Sequence, residues 1–177
     1  MRGGEGLARA IQYSYFMDRD TAVRAFYVDN AATLRFSDGA CKVRETTKYP
    51  YEGKVRLEVV ESQVKGMKTF RFFVPSWAKK NSVKVAVNGV KVVPSLAGSF
   101  VGVTLKPAAG TVVEVLFDQE AGPRPALNPD KSPGAVRYLR GPLLLGSSSE
   151  NAAKPLTPLL DTFDPATGRG GATGKTH

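Results

Sequence analysis

The chain is poor in the residues that staple or ligate, with one Cys and one His among 177 residues. A single thiol cannot close an internal disulfide, and one Cys with one His cannot build a Cys/His zinc site. Neither is needed at this length, because such a chain can bury roughly 70% of its unfolded surface. No run approaches the roughly 18 consecutive apolar residues of a membrane helix. Met1-Arg2-Gly3-Gly4-Glu5-Gly6 has a charge but no apolar stretch behind it of the secretory kind, so a cytoplasmic location is expected. Acidic residues are the minority charge, 16 against 25 Lys plus Arg, for a formal net charge of +9. The excess is spread thinly: 10 basic against 8 acidic in residues 1–60, 8 against 4 in 61–120, and 7 against 4 in the remainder. A phosphate-binding surface shows as a cluster or stripe. Here basic residues sit between apolar ones, as in Lys54-Val55-Arg56-Leu57 and Ser82-Val83-Lys84-Val85. That is the wet face of a strand, and a nucleic-acid partner is not expected.

What is present is mostly a period of two. Val23 to Val28, Thr33 to Phe36, Ala40 to Thr46, Val55 to Val60, Thr69 to Val74 and Val83 to Val87 read as strands. Val90 to Val93, Phe100 to Leu105 and Val112 to Phe117 continue the series. Short strands at this spacing, with turn residues between, predict an all-β antiparallel sandwich, jelly-roll-like. Asn88-Gly89 between two Val-rich strands is a strong hairpin signal, because both residues tolerate the positive φ of a type I′ turn. Ser37-Asp38-Gly39 marks a second turn. The predicted core is Val55, Leu57, Val59, Phe70, Phe72, Val83, Val85, Val87, Val113, Val115 and Phe117.

The ends read differently. Leu7, Ile11 and Tyr15 recur at four-residue spacing and predict a short helix over 5–17. Ala8, Tyr13 and Phe16 fall on its other face, so the helix is apolar most of the way round and expects neighbours on several sides. After Phe117, Gly122-Pro123-Arg124-Pro125 and Asn128-Pro129-Asp130-Lys131-Ser132-Pro133-Gly134 form a proline-rich crossing that cannot join a central strand. Ala135 to Arg140 is a further strand candidate. Residues 147–177, rich in Ser, Ala, Pro, Gly and Thr, are expected to be unstructured.

Several segments resemble glycoside hydrolase family 127, the β-L-arabinofuranosidase type. They are Thr46-Thr47-Lys48-Tyr49-Pro50-Tyr51-Glu52-Gly53-Lys54-Val55-Arg56-Leu57, Phe72-Phe73-Val74-Pro75-Ser76-Trp77-Ala78, Val85-Ala86-Val87-Asn88-Gly89 and Tyr138-Leu139-Arg140-Gly141-Pro142-Leu143-Leu144. Their order and approximate spacing match the family from about Leu7 to about Leu145. The resemblance implies an (α/α)₆ barrel holding the active site, followed by two β-sandwiches, of which this chain is similar only to the end. On that basis residues 1–20 are the remnant of the last barrel helix, 21–120 a sandwich domain, 121–146 a linker and the opening strand of a second sandwich, and 147–177 the tail. Family members are similar in using a cysteine nucleophile and a zinc ion held by a glutamate and further cysteines, all of the barrel. No residue here matches those positions, so no catalytic residue, cofactor site or metal site is expected.

Four constellations remain to be weighed. Cys41 alternates with Lys42 and Arg44, shares a face with Val43, and has no histidine near it in sequence, so it reads as inert and core-facing. Arg169-Gly170-Gly171-Ala172-Thr173-Gly174-Lys175-Thr176 resembles a phosphate-binding loop but has Arg where the pattern needs Gly, and reads as a Gly-rich tail. Glu45, Glu52, Glu58 and Glu61 are flanked by basic residues and read as surface charges rather than a glycosidase carboxylate pair. Tyr49, Tyr51 and Trp77 are the candidates to touch something. Aromatic rings stack on the apolar C–H faces of sugars, but they also dominate cores and interfaces.

The expectation is therefore a non-catalytic β-sandwich module, a truncated or split product of a family 127-like hydrolase, bracing the helical barrel. The alternative is a free-standing carbohydrate-binding module using Tyr49, Tyr51 and Trp77. Expected partners are the barrel domain, carbohydrate through those rings, and a second copy through Leu7, Ile11, Tyr15 and Phe16.

Overall fold

Alternating burial along each strand builds two facing sheets, seen in a computed structural model that describes residues 13–125, 136–145, 163–164 and 169–170. The first compact unit, Met1–Asp118, holds both sheets. Its strands are β1 (Tyr15–Asp18), β2 (Thr21–Arg24), β3 (Asn30–Phe36), β4 (Gly39–Thr47), β5 (Lys54–Ser62), β6 (Lys68–Phe73), β7 (Lys84–Val87), β8 (Val90–Val92), β9 (Ser95–Ala97), β10 (Phe100–Leu105) and β11 (Val112–Leu116). A five-stranded sheet runs β1-β2-β6-β10-β9, and a six-stranded sheet runs β3-β4-β5-β11-β7-β8. All pairings in the two sheets are antiparallel except β2 with β6.

The core lies between the sheets. Phe70 and Phe72 of β6 and Val101 and Val103 of β10 meet Val43 of β4, Val55, Leu57 and Val59 of β5, and Val113 and Val115 of β11 in one cluster. The predicted core residues are all in it, Val87 at its partly buried margin. Outward positions of the six-stranded sheet carry the basic residues, tied in Lys42–Glu61, Lys54–Glu114 and Arg56–Glu58 pairs at 2.8, 2.6 and 2.7 Å. Such exposed pairs contribute little to stability.

Both turn readings hold. Asn88 and Gly89 have φ of 50° and 79° and connect β7 to β8. The Asn88 side-chain oxygen also accepts from the Val112 N–H at 2.8 Å, tying the hairpin to β11. Gly39 closes the β3–β4 hairpin at φ 149°, and a Cβ there would meet the Gln63 carbonyl oxygen at 2.5 Å. No other residue type fits that spot.

The N-terminal helix is a correction. Tyr15, Phe16 and Met17 lie in β1, paired with β2 in the register Tyr15↔Arg24 and Phe16↔Val23. The four-residue period that predicts the helix does not hold at Tyr15. At Tyr15 an aromatic, β-favouring run meets an available sheet edge, and tertiary pairing overrides the helical spacing. Leu7, Ile11 and the rest of 1–12 lie outside the described residues. The strand read from Val23 to Val28 ends at Arg24, and β9 was not anticipated.

The second unit, Gln119–His177, contains β12 (Ala121–Pro125), β13 (Val136–Arg140) and β14 (Leu143–Leu145) as a three-stranded antiparallel sheet. β12 carries two prolines and pairs only with β13, which is where a strand lacking N–H donors can sit. Residues 126–135 of the crossing lie outside the described residues. So does most of the stretch from 147 onward, where two two-residue strands, β15 (Phe163–Asp164) and β16 (Arg169–Gly170), pair with each other. The phosphate-loop-like motif contributes only Arg169 and Gly170 to the described residues.

Phe72 is 1% exposed at the centre of the core. Phe72→Ala is expected to cost about 3–5 kcal/mol in chemical denaturation, the range for emptying a buried aromatic site.

Candidate functional site

Three polar or aromatic clusters of the first unit hold the side chains from which chemistry could come. The first lies inside the sandwich. Arg24 of β2 and Glu45 of β4 are 1% exposed each and face one another across the two sheets. Arg24 donates through Nη2 to Glu45 Oε1 at 2.6 Å and through Nε to Oε2, a two-pronged pairing. Arg24 Nη2 also donates to the Val28 carbonyl, and the Val28 N–H donates to Glu45 Oε1, each at 3.2 Å. Tyr15 lays its ring under the guanidinium at 4.3 Å and donates its hydroxyl to Glu45 Oε2 at 3.3 Å. Burial pushes the Glu45 carboxyl above its ordinary value, and Arg24 with the other donors draws it part of the way back. The phenols of Tyr15 and Tyr27 are raised, first by burial and then by the Glu45 charge.

Glu45 therefore corrects the surface-charge reading. Its neighbours Arg44 and Thr46 are exposed, but Glu45 itself points inward with Cys41 and Val43. The alternation Cys41, Val43, Glu45 was the available clue, and so was Arg24 two residues after buried Ala22. Cys41 is buried in the core, and burial pushes its thiol up to about 11. A thiol there is protonated at neutral pH and is no nucleophile.

The second cluster surrounds Lys68, whose side chain is 4% exposed. Its ammonium meets Asp20 Oδ1 at 2.7 Å and Asp38 Oδ1 at 2.8 Å, over the Phe36 ring. Hydrogen bonding to Lys68 holds both carboxyls below their ordinary value, and the two carboxylates hold Lys68 above its own. The amine supplies the cation this pair of carboxylates would otherwise seek. Among the described residues no group of three His, Cys, Asp or Glu converges on a point.

The third cluster is aromatic. Tyr49 and Trp77 stack with ring centroids 6.3 Å apart and 23° between planes. Trp77 meets Phe117 edge-on at 6.2 Å, and Tyr27 touches both Tyr49 and Phe117. Tyr49, which precedes Pro50 through a cis peptide, is anchored by its N–H donating to Thr47 Oγ1 at 3.0 Å. Tyr49 and Trp77 are half-buried against the core, while Tyr51 is 70% exposed beyond it. Thus two of the three candidate rings come together and the third does not.

Residues 22–119 match the GH127 middle domain of β-L-arabinofuranosidase. This chain belongs to that family. Similar solved structures are a GH127 β-L-arabinofuranosidase from Geobacillus stearothermophilus T6 (25% identity, TM-score 0.67) and a protein described as a glycoside hydrolase (26%, TM-score 0.69). A GH127 β-arabinofuranosidase at 24% identity shares the fold, with a TM-score of 0.63. The first two matches cover 78% of this chain, but only 22% and 23% of those proteins. The GH127 chain described here is thus comparable to less than a quarter of them. Comparison with curated protein sequences gives no match. The family match begins at residue 22, yet β1 lies before it and supplies Tyr15 to the buried pair. No helix among the described residues is long and apolar enough to cross a membrane.

Two measurements follow from these clusters. Arg24→Met or Glu45→Leu alone is expected to destabilise by about 3–5 kcal/mol, and the double variant by much less, because one change strands a buried charge and two remove it. A urea-denaturation double-mutant cycle reads this. For the Lys68 cluster, carboxyls held below their ordinary value add stability above that range and lose it as pH falls through their folded values. A raised Lys68 adds stability that is lost only as pH rises through its folded value. Lys68→Met should therefore show a shallower fall in melting temperature from about pH 5 to about pH 2 than the parent chain.

Proposed function

We propose that this chain is a non-catalytic module of a β-L-arabinofuranosidase-like protein, whose role is to brace the catalytic part. The observation that carries this is the fate of its reactive groups. Cys41 is closed in the core with a raised thiol, and Glu45 is held by Arg24. Asp20 and Asp38 are occupied by Lys68. Among the described residues, these groups are withdrawn from solvent or tied up in ion pairs. The correspondence to a middle domain, with most of the relatives' length elsewhere, supports the same reading.

A carbohydrate-binding role through Tyr49, Tyr51 and Trp77 has less behind it. A sugar platform needs coplanar rings open to solvent, and Tyr49 and Trp77 spend much of their surface on Tyr27 and Phe117. Tyr51 alone is fully presented.

Purified chain incubated with zinc, a reductant and an aryl β-L-arabinofuranoside is expected to give no turnover above buffer. Turnover abolished by Cys41→Ala would overturn the non-catalytic reading. In the same protein, Cys41 should resist an aromatic disulfide reagent at neutral pH until denaturant is added.

A further inference from the structure

The turn that closes the β7–β8 hairpin is also a chemically reactive pair. Asparagine is a labile residue, and a following glycine has no Cβ to hinder attack by its own nitrogen. The Gly89 nitrogen bonds to Asn88 Cγ, the Cγ–Nδ2 bond breaks, and ammonia leaves with the Gly89 proton. Water then opens the resulting succinimide, at Cγ to give aspartate or at the main-chain carbonyl to give isoaspartate. Both residues are exposed, and nothing lies within 4 Å of where a Gly89 Cβ would stand. Solvent therefore reaches the turn. The folded geometry nevertheless withholds the reaction. With φ of 50° and 79° between paired Val87 and Val90, the turn is of type I′. In that turn ψ of the first residue is about +30°, which carries the next nitrogen to the side of the Cα–C bond opposite Cβ. Asn88 is also clasped to β11. Its N–H donates to the Val112 carbonyl and its Oδ1 accepts from the Val112 N–H, each at 2.8 Å. Rotating ψ far enough for ring closure means letting go of β8.

We propose that Asn88 is a deamidation site gated by the β7–β8 hairpin, reacting only when β8 peels away, and that isoaspartate there keeps β8 from closing again. β8 is suited to be the gate. It is an edge of the six-stranded sheet, three residues long, and among the described residues pairs with β7 alone. Val90 and Lys91 are exposed, so Val92 is its one side chain packed against the core. A strand held this lightly opens locally well before the domain unfolds. The two products then part company. Aspartate keeps an oxygen where the Val112 N–H donates, and the hairpin recloses. Isoaspartate routes the main chain through the former side chain and adds a methylene. A two-residue turn with two positive φ angles then no longer links Val87 to Val90. Because the change is one-way, β7 is left as the new edge of the sheet, a Val-rich strand open to pairing.

The experiment is incubation of the full chain at mildly alkaline pH, with isoaspartate at Asn88 read by peptide mass spectrometry and isoaspartyl methyltransferase labelling. Reaction in the folded chain is expected to be about tenfold or more slower than in concentrated urea. Val92→Ala, which loosens β8, should speed it several-fold. Val103→Ala, which weakens the core from the other sheet, should leave the rate unchanged. Equal rates in buffer and urea, or acceleration by Val103→Ala in place of Val92→Ala, would overturn the hairpin gate. No isoaspartate at Asn88 even in urea would overturn the site itself. In hydrogen exchange, the purified isoaspartate form should lose protection in β8 and keep it in β5 and β11, while Asn88→Asp keeps it in all three. Protection of β8 retained in the isoaspartate form, or lost in Asn88→Asp, would overturn the proposed difference between the products.

Discussion

The sandwich turns on one ion pair that crosses it. Arg24 belongs to the five-stranded sheet and Glu45 to the six-stranded sheet, and both are withdrawn from water. Desolvating two charges is expensive, and only the paired contacts, the Val28 backbone and Tyr15 make the arrangement tolerable. The consequence is positional. A one-residue slip of β2 would turn Arg24 to solvent and Val23 to the core, leaving Glu45 alone inside. The pair therefore ties β1, β2, the loop through Val28 and β4 to a single register. Apolar packing elsewhere in the core tolerates exchange more readily.

Around that constraint the polar chemistry is inward-looking. Lys68 joins the β1–β2 turn at Asp20 to the β3–β4 turn at Asp38, so two hairpins that never pair share one buried cation. Tyr27 donates its hydroxyl to the Phe73 carbonyl and brings its ring against Tyr49 and Phe117. These contacts bind segments far apart in sequence. The two outward faces of the sandwich differ, one carrying ion pairs and one largely neutral.

The position of the family match has a structural reading as well. It begins within β2 and ends just past β11, which brackets most of both sheets but leaves out β1. The excluded strand is nonetheless bound to the module by a ladder and by the Tyr15 hydroxyl. The fold thus extends upstream of what sequence similarity to the family delimits.

What the sequence by itself determined is what short-range periodicity can encode. Alternation in Val55-Arg56-Leu57-Glu58-Val59 settles both strand and buried face, Asn88-Gly89 settles a hairpin, and Cys41 beside Val43 settles a core-facing thiol. The segments shared with family 127 added the family. What only the tertiary structure decided depends on partners distant along the chain. Tyr15 is a strand residue because β2 and Glu45 are there to receive it. Glu45 is buried because Arg24, twenty-one positions earlier, meets it, although flanking basic residues make it look like a surface charge. Tyr49 and Trp77 are half-buried while Tyr51 is exposed, a distinction three similar aromatic residues cannot carry locally. Charge neutralisation and ring packing are pairwise quantities, and a pair separated by tens of residues exists only once the sheets have formed.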